Sequence, residues 1–399
     1  MIDEKEYERI LNIVRNDNSI TYEIDEEVVR KLIAETVFKE TRDKNISLED
    51  REKYSKKIFD SIRKMDIIQE LIDDDEVTEI MINGYDHIFI EKKGVVYEWN
   101  KKFVSNKKLD DLIQQIVSTC NRTVNSAEPI VDARLPDGSR VNITLSPPAL
   151  HGSIVTIRRF SSEIFTMDKL IELGSISKEA ADYLKKLIVA GYSIFVSGST
   201  SSGKTTLLNV LSECIPKNER VITIEDSAEL RINGIPNLVQ LETRNANSSG
   251  CGEITIRDLI RNARRQRPDR LIIGEVRGAE VADMLQAFNT GHEGSMSTGH
   301  ANSCEDMITR LEAMYLQNAE IPLEAIKRQI ASGIDIMVHL ERSRDGKRRV
   351  SEITELGSEE DKSLVLNRIF ETVICDGEYV LKKTGELKNT LKLKRQEVV

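Results

Sequence analysis

The stretch that decides the fold is a loop bounded by glycines, Gly198-Ser199-Thr200-Ser201-Ser202-Gly203-Lys204-Thr205. It follows the apolar run Ile194-Phe195-Val196 and precedes a helical pattern, Thr206-Leu207-Leu208-Asn209-Val210-Leu211. Glycines let the backbone curl so that successive N–H groups point at phosphate oxygens, and the start of a helix adds partial positive charge. The segment Gly198–Thr206 is therefore predicted to hold the phosphates of a nucleotide.

Two residues at the end of this loop carry the expected chemistry. Lys204 is expected to contact the β- and γ-phosphates of ATP, and the Thr205 hydroxyl is expected to bind Mg²⁺. A strand before the loop and a helix after it are the context that this motif requires. The sequence therefore predicts ATP and Mg²⁺ as ligands.

Two acidic residues each end an apolar strand pattern. Glu225 closes the run from Val221, and Glu275 closes the run from Leu271, where Gly-Glu replaces the commoner Asp-Glu. Strand ends in open α/β sheets meet in one crevice, so both carboxylates are expected to face the nucleotide. Hydrolysis needs such groups to position water and Mg²⁺, so we predict an ATPase. Which carboxylate is the general base stays open.

Histidines and arginines supply further candidates. The Gly/Ser-rich segment 291–303 is predicted to be a turn, and His300 within it is a candidate for sensing the γ-phosphate. Arg140 and Arg158 end strand patterns of an earlier domain and could neutralise charge in the transition state. Four arginines nearer the acids are predicted to form surface ion pairs: Arg244, Arg265, Arg267 and Arg277.

The pattern of apolar and polar residues changes along the chain. Helical stripes fill residues 1–65, strand and hairpin patterns with one helix fill 66–160, and 161–175 is predicted to be a linker. From 176 to 399, short apolar strands alternate with helices, which predicts a mostly parallel α/β sheet covered on both faces. The last 60 or so residues change to hairpin-like strands.

Composition limits the possible partners. The 57 basic and 67 acidic residues give a formal net charge of −10, and aromatic residues are 5% of the chain. An acidic, aromatic-poor chain is a poor nucleic-acid binder, so no nucleic acid is expected. No apolar run reaches the roughly 20 residues of a membrane span. We expect a cytoplasmic protein that meets the membrane only through partners.

The order of the motifs resembles the secretion-ATPase superfamily of type II secretion, type IV pili and type IV secretion. The phosphate loop is followed by Ile224-Glu225-Asp226, then by 267–278, and then by Ser297-Thr298-Gly299-His300-Ala301-Asn302. The likeness is greatest to the CpaF/TadA branch, which assembles Flp (Tad) pili. It rests on 132–141, which contains Asp137-Gly138-Ser139-Arg140, and on Leu241-Glu242-Thr243-Arg244.

This resemblance implies more than the residues do alone. It implies a homohexameric ring whose subunits have a PAS-like α+β domain followed by a RecA-like P-loop NTPase domain, with nucleotide between them. Glu225 would orient water, Glu275 would act with Mg²⁺, His300 would be the family's histidine, and Arg140 and Arg158 would reach the γ-phosphate. The motor would lie peripherally on the inner face of the cytoplasmic membrane and drive inner-membrane platform proteins.

Two other functions remain open at this stage. A nucleic-acid motor, such as a RecA-type helicase or a DNA-transfer ATPase, would need a basic and aromatic-lined track. A nucleotide-dependent scaffold would bind ATP without hydrolysing it, although the combination of Lys204, Thr205, Glu225 and Glu275 argues against this.

Overall fold

The chain divides into two structural units, Met1–Ile164 and Phe165–Val399. The computed structural model describes residues 4–15, 17, 25–44, 46–120, 122–159, 165–244, 246, 251–317, 320–343, 345–358, 364–375 and 378–396. The helical residues 1–65 belong to the first unit and do not form one of their own.

The first unit begins with three helices, α1 (Glu4–Arg15), α2 (Glu26–Glu40) and α3 (Leu48–Arg63). Asp25 and Ser47 cap the second and third, because their side chains accept hydrogen bonds from first-turn N–H groups. The apolar stripes of the three helices meet in one core, formed by Tyr7, Ile10, Leu11, Val14, Val29, Ile33, Val37, Ile58 and Phe59.

An antiparallel sheet with a long helix completes the first unit. Its strands are β1 (Val77–Asn83), β2 (His87–Lys92), β3 (Val95–Glu98), β4 (Ile130–Arg134), β5 (Arg140–Thr144) and β6 (Ile154–Arg158). A 3₁₀ turn (Asp66–Ile68) and α4 (Gln69–Ile72) precede the sheet, and α5 (Asn106–Thr119) follows β3. The spatial order is β3-β2-β1-β6-β5-β4. The predicted Pro-Asp-Gly turn does join β4 to β5 as a hairpin.

The second unit has eight helices and nine strands within its described residues. The helices are α6 (Met167–Glu172), α7 (Lys178–Val189), α8 (Lys204–Ser212), α9 (Ile256–Ala263), α10 (Glu280–Phe288), α11 (Cys304–Leu316), α12 (Leu323–Gly333) and α13 (Leu391–Gln396). The strands are β7 (Ile194–Gly198), β8 (Val221–Glu225), β9 (Leu238–Glu242), β10 (Arg270–Ile273), β11 (Met296–His300), β12 (Ile336–Arg342), β13 (Arg348–Ser358), β14 (Leu364–Cys375) and β15 (Glu378–Lys383).

These strands form one sheet in the order β15-β14-β13-β12-β7-β11-β10-β8-β9. The six strands from β12 to β9 run parallel, and β13, β14 and β15 extend the sheet antiparallel. Ile194 and Val196 of β7 belong to one apolar core, whereas Phe195 between them belongs to the other. Alternate side chains of a strand point to opposite faces, so a core covers each face of the sheet. The fold is mixed α/β with large sheets.

The prediction of a turn over 291–303 is wrong in its centre. Met296–His300 forms β11, a strand between β7 and β10 in the middle of the sheet. A side-chain carbon at Gly299 would lie 3.0 Å from atoms of both Met307 and Phe195, so a small residue is needed there. The small residues of β11, which are typical of a loop, are explained by the close packing of side chains such as Met307 and Phe195.

The second half of the predicted linker is part of the second unit. Residues 160–164 lie outside the described residues, but α6 is defined and its Leu170 is buried in the same core as α7. The second structural unit, Phe165–Val399, therefore includes α6. Among the helices that the structure describes, none is long and apolar enough to span a bilayer.

Candidate functional site

The phosphate loop predicted from the sequence connects β7 to α8. A side-chain carbon at Gly198 would lie 2.5 Å from the Leu340 carbonyl oxygen and 2.6 Å from the Ser202 hydroxyl, which no larger residue could tolerate unchanged. Gly203 has a φ of +98°, in the left-handed region that glycine adopts without strain. Because α8 begins at Lys204, the unpaired N–H groups of its first turn lie at the end of the loop.

The Lys204 side chain is held inside this loop. Its ammonium donates hydrogen bonds to the carbonyls of Gly198 (3.0 Å) and Ser199 (2.9 Å), and it lies 3.1 Å from His300 Nδ1. The side chain is buried, and this burial lowers the pKa of the ammonium, although the nearby Glu275 carboxylate opposes the shift. The cation is thus fixed at the end of β7 rather than extended into solvent.

His300 connects this lysine to the second acidic motif. It is the last residue of β11 and pairs in register with Gly198, which places its ring beside the phosphate loop. Its Nε2 lies 2.8 Å from Glu275 Oε1, within ion-pair distance but without hydrogen-bond geometry. Burial lowers the pKa of His300, while Glu275 acts in the opposite direction.

Glu275 is also held by an arginine that the sequence analysis placed in a surface ion pair. Arg277 Nη2 donates to Glu275 Oε2 at 2.8 Å, and this hydrogen bond raises the pKa of the arginine. Lys204, His300, Glu275 and Arg277 therefore form one continuous chain of polar contacts. The position of Arg277, two residues after Glu275, is the only sequence signal that could have identified it.

Glu225 is more deeply buried than Glu275, with 3% of the residue exposed against 21% of the Glu275 side chain. One carboxylate oxygen accepts hydrogen bonds from the N–H groups of Glu229 (2.7 Å) and Leu230 (2.9 Å). The other oxygen, Oε2, is buried and has no hydrogen-bond partner among the described residues. Burial raises the pKa of this carboxyl to about 7, although the two backbone hydrogen bonds oppose the shift. A group that titrates near neutrality can accept a proton and later release it.

The glycine before Glu275 has a structural reason that involves Glu225. The strands β8 and β10 are neighbours, and a side-chain carbon at Gly274 would lie 2.9 Å from Glu225 Cγ. An aspartate at this position would displace the Glu225 side chain. Glycine at position 274 therefore leaves the space that the buried Glu225 side chain occupies.

The two candidate arginines of the first unit stand side by side. Arg140 on β5 pairs with Arg158 on β6 and, on its other side, with Arg134 on β4. Arg159 is separate, since its guanidinium donates to the carbonyls of Asp74 and Val77. The roles of Arg140 and Arg158 toward a nucleotide stay a prediction.

The predicted Mg²⁺ site would use few protein ligands, and it stays a prediction. Among the residues that the structure describes, no group of three or more His, Cys, Asp or Glu side chains could hold an ion. Mg²⁺ keeps several waters and takes one or two protein ligands together with substrate phosphates. The Thr205 hydroxyl at the start of α8 and the Glu275 carboxylate fit such a partial set.

Comparison with known proteins gives concordant matches. A family model described as Type II/IV secretion system protein matches residues 62–377. A putative conjugal transfer protein of Mycobacterium tuberculosis is 33% identical over 302 residues, which are 74% of this chain and 85% of that protein. The type IV secretion system protein VirB11 of Brucella suis is 32% identical, over 71% of this chain and 86% of its own.

A solved structure agrees in fold. The ATPase DotB of Legionella pneumophila is 22% identical, with a TM-score of 0.52 over 75% of this chain and 81% of that chain. The family match begins within α3 and includes the phosphate loop, both acidic motifs and β11. The resemblance predicted from the motif order is confirmed at the level of the superfamily. The chain belongs to the family of type II/IV secretion system proteins.

Proposed function

We propose that this protein is an ATP-hydrolysing motor that powers pilus assembly or secretion. The chain of contacts from Lys204 through His300 to Glu275 carries the proposal, because it joins the phosphate loop to an acid on the neighbouring strands. Family membership supports an ATPase of secretion systems. The finer assignment to Flp (Tad) type IV pili rests on the 132–141 and 241–244 motifs.

Each residue has a proposed task. The N–H groups of Gly198–Thr206 hold the phosphates, and Lys204 neutralises the β- and γ-phosphates. Thr205 and Glu275 would hold Mg²⁺, Glu275 directly or through a water, and the bound ion would supply positive charge to the phosphates. Arg140 and Arg158 neutralise charge on the transferred phosphoryl group, and His300 senses its presence.

We assign the general base to Glu225 rather than to Glu275. Arg277 Nη2 and His300 Nε2 each lie 2.8 Å from an oxygen of Glu275, so nitrogen atoms already occupy the space beside both oxygens. In Glu225, Oε2 is buried without a hydrogen-bond partner among the described residues, and burial raises the pKa of the carboxyl to about 7. A base works best when its pKa is near the working pH.

The fold and the assembly complete the proposal. The sheet of the first unit is assigned as a PAS-like domain and the second unit as a RecA-like domain, followed by the β13–β15 extension. The motor acts as a homohexamer at the cytoplasmic face of the membrane. It contacts the membrane through platform proteins of the secretion or pilus system.

A nucleic-acid motor is the second candidate, because one relative is described as a putative conjugal transfer protein. The acidic net charge of −10 and the 5% aromatic content oppose it. The two functions differ in one measurement. In the presence of Mg²⁺, the protein should release phosphate from ATP without any DNA. The rate should stay the same when single- or double-stranded DNA is added. Absence of Mg²⁺-dependent release contradicts the motor, and DNA-stimulated release favours the second candidate.

A substitution at Gly274 tests the position of Glu225. Gly274→Ala places a methyl group 2.9 Å from Glu225 Cγ, so the carboxylate must move. A displacement of about 1 Å at a catalytic group can slow turnover about 100-fold, and we expect a loss of that order in kcat. Gly357→Ala is the matched control, because a carbon there meets nothing within 4 Å. Equal kcat in both variants would mean that the position of Glu225 does not matter.

A further inference from the structure

The hairpin between β12 and β13 lies against the phosphate loop. β12 runs parallel to β7 as far as Leu340, which pairs with Gly198. The chain then turns back, and the Ser343 N–H donates to the Lys347 carbonyl at 2.8 Å. A side-chain carbon built on Gly203 would lie 3.7 Å from Arg348 Cδ and 3.9 Å from Leu340 Cδ2. One face of the hairpin therefore borders the last glycine of the loop.

Two arginines stand opposite each other on that face. Arg342 and Arg348 are a cross-strand pair, both are exposed, and they share the face of Leu340. Within the described part of the chain, neither guanidinium has an ion pair or a hydrogen bond. Like charges directly opposite destabilise a hairpin, so this unneutralised pair points to an anionic ligand.

The adjacent arginine explains how the hairpin keeps its shape. Arg349 donates two hydrogen bonds to the Asp345 carboxylate, at 2.8 and 2.6 Å. These bonds lower the pKa of Asp345 to about 2, so the pair stays charged at every physiological pH. The bidentate bond holds the turn and leaves the neighbouring Arg348 on the face that borders the loop.

The position of this pair relative to the acids indicates which part of the nucleotide it meets. β7 lies between β11 and β12, and His300, Glu275 and Glu225 all lie on the β11 side. The reacting γ-phosphate belongs on that side, whereas loop N–H groups such as those near Gly203 hold the α- and β-phosphates. The arginine pair therefore borders the end of the phosphate chain that does not react.

We propose that Arg348, together with Arg342, binds the α-phosphate of the nucleotide. This inference rests on the proposed ATPase function and adds a subsite to it. The guanidinium fork matches the geometry of a phosphate, so it adds side-chain donors to the N–H groups of the loop. Since the α-phosphate is present in both ATP and ADP and takes no part in the reaction, the contact contributes to binding and not to turnover.

The test is Arg348→Ala, measured by calorimetric titration with ATP and with ADP and by steady-state phosphate release. We expect affinity for both nucleotides to fall by the same factor, about tenfold or more, with kcat at saturation unchanged. The ratio of ATP to GTP affinity should stay as in the wild-type protein. Arg348→Lys should restore part of the affinity, because the charge remains while the fork is lost.

Lys347→Ala is the matched control, because it removes one positive charge from the same exposed turn next to Arg348. Equal affinities in the two variants would overturn the subsite. A loss for ATP alone would place Arg348 at the γ-phosphate, and a changed ATP to GTP ratio would place it at the base; either result overturns the proposal. A wild-type protein that binds ADP but releases no phosphate would refute the ATPase function while leaving this binding test intact.

Discussion

Replacing Lys204 with alanine is expected to abolish ATP hydrolysis and to weaken nucleotide binding by about 100-fold or more. The ammonium is buried within the loop, where it is the proposed partner of two phosphates, and charge-assisted hydrogen bonds are the strongest of their kind. Calorimetric titration with ADP and ATP gives the loss in affinity, and phosphate release gives the loss in turnover.

Folding must be separated from binding in this variant. Lys204 donates to two loop carbonyls, so its removal could also disturb the loop. Saturating ADP should raise the Tm of the wild-type protein, since a ligand that binds only the folded state stabilises it. The Tm of Lys204→Ala should not respond to ADP, whereas that of Lys185→Ala, an exposed lysine on α7, should respond fully. Normal phosphate release by Lys204→Ala would refute the site.

The phosphate loop and the two acids could be predicted because contiguous residues carry their signals. A strand, a glycine-bounded loop and a helix follow one another in 194–211, and each glutamate directly ends an apolar run. Because the carboxyl ends of parallel strands lie at the same edge of a sheet, these residues are expected to lie close together even when the strand order is unknown. This part of the site depends on local pattern and on one rule of sheet topology.

Other features depend on neighbours that are distant in sequence. β11 was predicted to be a turn, because its small polar residues are explained only by Phe195 and Met307 packing over Gly299. Gly274 is explained only by the Glu225 side chain on the next strand. Leu170 of the predicted linker is buried in the core that α7 and the sheet form, which its local sequence does not indicate. Such contacts leave no periodic signal in the chain.

Replacing Glu225 with glutamine should lower kcat by about 100- to 10,000-fold, the usual contribution of a general base. The amide oxygen can still accept the hydrogen bonds from Glu229 and Leu230, so the local structure and nucleotide affinity should persist. In the wild-type protein only the ionised carboxylate can accept a proton from water. Its kcat should therefore rise with pH through about 7 and then level off.

The contribution of Glu225 to stability should depend on pH in the opposite direction. The pKa of Glu225 is raised from 4.5 to about 7 on folding, so the folded state holds the proton more tightly than the unfolded state. The resulting stabilisation is fully present below pH 4.5 and is lost as the pH rises through 7. A shift of this size corresponds to about 3 kcal/mol. Glutamine has no charge to bury, so Glu225→Gln should gain stability relative to the wild-type protein between pH 6 and 8.

Glu275→Gln distinguishes the roles of the two carboxylates. Glu213→Gln is the control for loss of one negative charge, because Glu213 is exposed and directly follows α8. If Glu225 is the base, the residual kcat of Glu275→Gln should still rise with pH through about 7. The residual kcat of Glu225→Gln should not change across that pH range. A pH profile that disappears in Glu275→Gln and persists in Glu225→Gln would transfer the role to Glu275. The stability profile does not depend on catalysis, so it would still report the burial of Glu225. The activity of the wild-type protein and the difference in stability between it and Glu225→Gln should therefore change together across this pH range, because both follow the ionisation of one buried carboxyl.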